Sequence, residues 1–299
     1  MTLQVELLFG LLFLVDAVFV VQWLRSRSGY VGRKRPLPWE YPLGCVVAFF
    51  DTLGIGSFAP TTAALKFGGA LADELIPGTL NIGLNAAATL EMIIMVTGIL
   101  IDPVLLLSTV LAAAAGAWIG AGIVSRLPRA AVQFGMGVGL LIAGAVFVAT
   151  NLHLLPGGGE AMTLVGWRFA VAVVVNFVLG AFMTIGIGLY APCMIVVTLL
   201  GLHPIAAFPI MMGACGLVQP TAGLQFFRSE RYGFGTSIAL TIGSIPGVLV
   251  AAFVVKHLPL AALRWLVVIV VVYAAFSMLR SFGIDRARKP SPAQVIAQG

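Results

Sequence analysis

The sequence predicts an all-α polytopic membrane protein. Two inverted repeats, each opening with a broken or re-entrant helix, follow an extra N-terminal transmembrane helix. Three observations carry that expectation. The chain is 60% hydrophobic and only 9% charged, with a mean hydropathy of +1.08, whereas a soluble domain carries roughly a quarter charged residues. Several stretches reach the ~20 apolar residues that cross a bilayer. Finally, Gly54-Ile-Gly-Ser-Phe-Ala-Pro60 recurs as Gly186-Ile-Gly-Leu-Tyr-Ala-Pro192, 132 residues on, each inside an apolar run. Pro77 and Pro209 keep the same offset.

Residues 3–24 form the first span. It lacks a basic leading region and a small-residue cleavage site, so it reads as a retained helix rather than a removed signal. A basic connector follows (Arg25, Arg27, Arg33, Lys34, Arg35), which closes a first unit over 1–40. Repeat 1 covers 41–150. Its apolar stretch 41–69 is interrupted at Gly54–Pro60, and spans near 78–100, 103–125 and 130–149 come next. Pro156 to Gly159 is a Gly-rich turn between the halves. Repeat 2 covers 161–281: a stretch 163–201 broken at Gly186–Pro192, then spans near 205–227, 234–255 and 260–281. Residues 282–299 are a short solvated tail.

The net charge of +6 follows topology, because Lys and Arg lie mostly between apolar spans; no nucleic-acid partner is expected. If each broken stretch re-enters and returns to its own side, 13 of the 17 Lys and Arg residues fall on the cytoplasmic side, the C-terminus among them. A single crossing leaves 11, so the positive-inside rule favours re-entry. Re-entry also inverts one half relative to the other. Cys45, Cys193 and Cys215 sit inside apolar spans without paired spacing, and give neither a disulfide nor a metal framework. Gly116-x-x-x-Gly120 and Gly135-x-x-x-Gly139 read as close helix packing in lipid.

Matched helix breakers in two halves point to a binding site between them. Gly lets the backbone approach closely, and Pro early in a helix has no N–H to lose. After Pro60 and Pro192 a short helix can start, and its free N–H groups form an anion site. Gly54, Gly56, Gly186 and Gly188 supply backbone there, with hydroxyls from Ser57, Thr61, Thr62 and Tyr190. Asn81, Asn85 and Thr89 repeat along one helix face, and Gln219, Thr221 and Gln225 occupy the corresponding span. Of these, Asn81, Thr89, Gln219 and Thr221 are expected to complete the polar contacts.

Asp16, Asp51, Lys66 and Glu91 are ionisable at membrane depth, where such groups are costly and hence functional suspects. Glu91 suits either a proton carrier or a structural hydrogen bond. Asp51 suits either receipt of a cation or proton, or the cap of a half-helix. Lys66 either attracts an anion or reaches the interface, and Asp16 reads as structural. Asp51, Lys66 and Glu91 correspond to Met183, Thr198 and Gly223, so coupling belongs to the first half. His153, His203 and His257 are scattered, and no nucleophile–base pair or metal-ligand cluster is visible. Neither an enzyme nor a cofactor is expected.

With these residues in view, the chain resembles the TauE/SafE family of sulfite exporters. The likeness rests on Asp51-Thr-Leu-Gly-Ile-Gly-Ser-Phe-Ala-Pro60, its echo at Gly186–Pro192 and the spans after each, over residues 41–281. Many members carry more glycines at the break, where this chain has Ser57 and Leu189. The resemblance implies a permease of the bacterial cytoplasmic membrane, moving sulfite, an organosulfonate or another small sulfur-containing anion by alternating access. A passive anion channel of the same architecture is the alternative. Direction, coupling ion and homo-oligomeric state are left open.

Overall fold

A computed structural model describes residues 3–26, 35–152, 154, 159–186 and 188–254, with scattered positions from 272 to 283. The span expected near 260–281 falls largely outside the described residues, as do the tail and Arg27, Arg33 and Lys34. Among the described residues the elements are helical: α1 (Leu3–Arg25), α2 (Glu40–Thr52), α3 (Phe58–Phe67), α4 (Ile76–Gly83), α5 (Asn85–Gly98), α6 (Pro103–Val124), α7 (Arg129–Asn151), α8 (Trp167–Met183), α9 (Tyr190–Leu199), α10 (Pro204–Ser229) and α11 (Phe234–Val254). A 3-10 turn, Asp73–Leu75, leads into α4. Among the described residues, four helices are long and apolar enough to cross a bilayer, or five if the bent pair α4–α5 is one span. The chain is a multi-pass all-α membrane protein.

Both expected breaks are present, and their cause is local. Gly54 and Gly56 have φ of +81° and +92°, and Gly186 has φ of +96°, conformations that a side chain resists. The hydrogen bonds around the two breaks recur at the sequence offset. Gly54 N–H donates to Asp51 O as Gly186 N–H does to Met183 O; Thr61 to Ser57 O as Cys193 to Leu189 O; Ala70 to Leu65 O as Leu202 to Val197 O. Gly69 and Gly201, also 132 apart, both take positive φ to end the short helices α3 and α9.

Each broken stretch returns to where it began. Gly68, after α3, packs on Trp39, the residue before α2; a Cβ there would lie 2.6 Å from the indole. Gly201, after α9, lies against Gly159, and His203 N–H donates to Ala161 O at 2.7 Å, just ahead of α8. The first return lies beside the end of α10, where Gly233 meets Leu71, and the second beside its start, where His203 is the N-cap. At the first face, Arg231 after α10 donates to the Leu127 carbonyl after α6. There too Ser26 after α1 meets Tyr232 at 2.9 Å, and Gly233 N–H donates to Thr79 Oγ1 of α4 at 2.8 Å. Arg25, Arg126, Arg228 and Arg231 belong to this basic face, whereas Arg168 at the start of α8 belongs to the other.

Packing runs crosswise. α2 lies along α11, and α8 lies along α6, with α10 central against α5 and α6. Small residues permit the approach: a methyl on Gly116 or Gly180 would run into the carbonyls of Phe177 or Ala113. On the other pair, Gly243 and Gly247 press on the carbonyls of Tyr41 and Cys45. Without a hydrophobic drive in lipid, such contact is what holds helices together.

One expected span is bent. The stretch near 78–100 turns by 41° between α4 and α5, at Leu84. Thr241 Oγ1 of α11 donates to Gly83 O at 3.0 Å, satisfying a carbonyl that the bend frees. The corresponding α10 stays continuous despite Pro209 and Pro220.

Candidate functional site

The two breaks meet. A small cavity is lined by Asp51, Gly56, Ser57 and Phe58 from the first, by Met183, Gly188, Leu189 and Tyr190 from the second, and by Cys215 and Gln219 of α10. It offers about 10 Å³ to a water centre, roughly the space of one water molecule. A Cβ built on Gly56 or Gly188 meets nothing within 4 Å, so the missing side chains are part of the hollow. Helices α3 and α9 both begin at this wall, with Ser57 and Leu189 as N-caps that make no side-chain cap bond. Their first-turn N–H groups therefore have no intrahelical acceptor.

Side chains fix the first break. Asp51 accepts the Ser57 N–H at 2.8 Å and the Ser57 hydroxyl at 2.6 Å. Asp51, in the last turn of α2, thus holds the N-cap residue of α3 rather than capping the first-turn N–H groups itself. Thr61 Oγ1 donates to Ser57 O at 2.6 Å.

Glu91 ties the two breaks together from α5. Its Oε2 accepts the Tyr190 hydroxyl at 2.7 Å, and its Oε1 lies 2.9 Å from Thr52 Oγ1. Thr52 Oγ1 is also 2.9 Å from Ala48 O. A hydroxyl has one hydrogen. Thr52 therefore either donates to an ionised Glu91, or donates to Ala48 and accepts from a protonated one. Both protonation states of Glu91 are accommodated without an orphaned group.

Gln219 is 1% exposed, and its Oε1 has no protein partner. A buried amide oxygen left open is costly, and this one belongs to a residue on the cavity wall. Among the described residues, the wall carries no Lys or Arg. Its ionisable groups are acidic, with Glu91 one hydrogen bond behind Tyr190.

Of the residues expected to form the site, Asp51, Gly56, Ser57, Gly188, Tyr190 and Gln219 line the cavity. Gly54 and Gly186 shape the turns instead; a Cβ on Gly54 would meet the Phe208 ring at 3.0 Å. Thr62 is buried but off the wall, and its hydroxyl has no partner.

Asn81, Thr89 and Thr221 are not brought to the cavity. Asn81 donates to Pro77 O at 2.9 Å. Thr89 and Asn85 donate to the two carboxyl oxygens of Asp16 on α1, at 2.8 and 2.9 Å. A carboxyl inside hydrocarbon requires donors, and α5 turns its polar stripe toward that need. Thr221 faces a groove between α1, α6 and α10. Lys66 pairs with Asp73 at 2.5 Å, and Gln133 Nε2 donates to the same carboxyl at 2.8 Å.

Sequence reasoning missed Cys215, Met183 and the Thr52 hydroxyl. Cys215 stands four residues before Gln219, one helical turn away on the same face, which was a usable signal. Met183 had none.

Comparison with protein-family models, curated proteins and solved structures finds no match. The arrangement therefore speaks for itself. Helix N-termini favour negative charge, while the carboxyls beside them disfavour it unless they hold protons.

Proposed function

We propose that this chain is a secondary transporter for a small oxyanion, of the TauE/SafE type, working by alternating access across the bacterial cytoplasmic membrane. Sulfite or an organosulfonate is the substrate class. One observation carries the reading: two helix N-termini, from breaks 132 residues apart, share one cavity. The recurring hydrogen bonds and the opposite faces of the two returns support an inverted repeat, the usual frame for such a carrier. Positive-inside logic makes the basic face cytoplasmic.

The anion takes backbone N–H groups at Phe58 and at Leu189–Tyr190 and the amide of Gln219, while the Ser57 N–H stays with Asp51. With no cation on the wall, Asp51 and Glu91 offset its charge by carrying protons, which couples substrate to proton movement. Thr52 and Tyr190 keep Glu91 hydrogen-bonded in both states. A cavity of about one water must widen before it admits an oxyanion, which alternating access provides.

The test is uptake of labelled sulfite and of a labelled sulfonate into proteoliposomes. Accumulation driven by a pH gradient, and lost when protons equilibrate, is the expected result. Flux that only dissipates the substrate gradient would establish the channel, and no flux for any small oxyanion would overturn the reading.

A further inference from the structure

A groove of about 370 Å³ runs down the lipid-facing side between α1, α6 and α10. Leu11 and Val15 of α1, Ala115 and Trp118 of α6, and Leu217 and Thr221 of α10 form its walls. Its lining is almost wholly apolar, as a hydrocarbon chain requires. The three helices that frame it all finish at the basic face, and each finishes at an exposed arginine: Arg25, Arg126 and Arg228. The Arg228 guanidinium lies 5.1 Å from the Trp118 ring centre. Stacking of that kind leaves the edge of the guanidinium open to a phosphate.

The depths agree. At 1.5 Å per residue, Leu11 and Val15 lie about 15–21 Å below Arg25. Leu217 lies about 17 Å below Arg228 by the same rise. One leaflet of a ~30 Å hydrocarbon core has that depth. The geometry points to a binding site for an anionic phospholipid of the leaflet on the basic face, with one acyl chain in the groove and its phosphate among Arg25, Arg126 and Arg228. A positive-inside bias explains arginines at this face, but not the seating of Arg228 on Trp118, a wall of the groove. Thr221, expected at the substrate site, is a wall of this lipid site instead. The inference is independent of what the central cavity carries.

Titration of the full-length protein, in a zwitterionic micelle, with phosphatidylglycerol and with phosphatidylcholine of equal chains tests it by native mass spectrometry. Phosphatidylglycerol is expected to bind at least about tenfold more tightly, and Arg126→Gln or Arg228→Gln to weaken it about fivefold each. Ala115→Trp keeps every charge and fills the groove from an exposed position; it should abolish the bound lipid. Arg168→Gln removes a charge at the opposite face and should change nothing. Equal binding of the two lipids would overturn the proposal. So would retention by the Ala115→Trp protein, or a loss in Arg168→Gln equal to that in Arg228→Gln.

Discussion

The two breaks share a backbone and differ in what secures it. The Gly54 and Thr61 N–H groups find the carbonyls of Asp51 and Ser57, as those of Gly186 and Cys193 find Met183 and Leu189. In the first, a carboxyl grips the loop through two bonds to Ser57. In the second, the equivalent residues are Met183 and Leu189, which can form neither bond, and the helix start is held from outside by Tyr190 on Glu91. Duplicated main chain thus supplies shape twice, while the titratable chemistry sits on one side.

Valine at either open glycine should have the largest effect and tests the shared half of the comparison. Gly56→Val and Gly188→Val both fill the hollow, and labelled-sulfite uptake should fall about 100-fold or more. Gly56→Val should also unfold at lower denaturant because its φ is +92°, so a stability difference between the two variants separates backbone from cavity. Next comes the unshared half. Glu91→Gln keeps a hydrogen-bonding amide but no proton to carry, so accumulation driven by a pH gradient should drop about tenfold or more. Exchange of labelled for unlabelled substrate should persist; loss of both would mean that Glu91 is structural.

Smaller effects follow in the loops themselves. Asp51→Ala strands the Ser57 N–H and should cost about 2 kcal/mol in detergent unfolding, while Met183→Leu at the matching position should cost less than about 1.5 kcal/mol. Equal losses would erase the asymmetry. Tyr190→Phe, which removes one bond to Glu91, should cost about 1 kcal/mol and shift the pH dependence of uptake.

What was legible in the sequence is what main chain alone dictates. Gly54 and Pro60 announce a break because few other residues tolerate that geometry, and their echo 132 residues on locates the second. Gly69 and Gly201 carried the same message for the helix ends and went unread. The bend at Leu84 was illegible, since it depends on Thr241 from a helix far along the chain. The polar stripe of α5 was legible as polar but not as to its target. Asp16, which receives Asn85 and Thr89, belongs to a helix outside the repeat, so no internal symmetry could point to it. Tertiary partners of that kind are set by packing, not by spacing.

The crosswise packing of α2 on α11 and of α8 on α6 has a mechanical corollary. Each hairpin is cemented, through glycine-lined seams, to a helix from the other half of the chain. Any rigid unit that tilts during a cycle is therefore a composite of early and late segments, and not a contiguous half. Two separately expressed fragments cut in the Gly-rich turn should be unable to settle alone, and should mature only by finding each other in the bilayer.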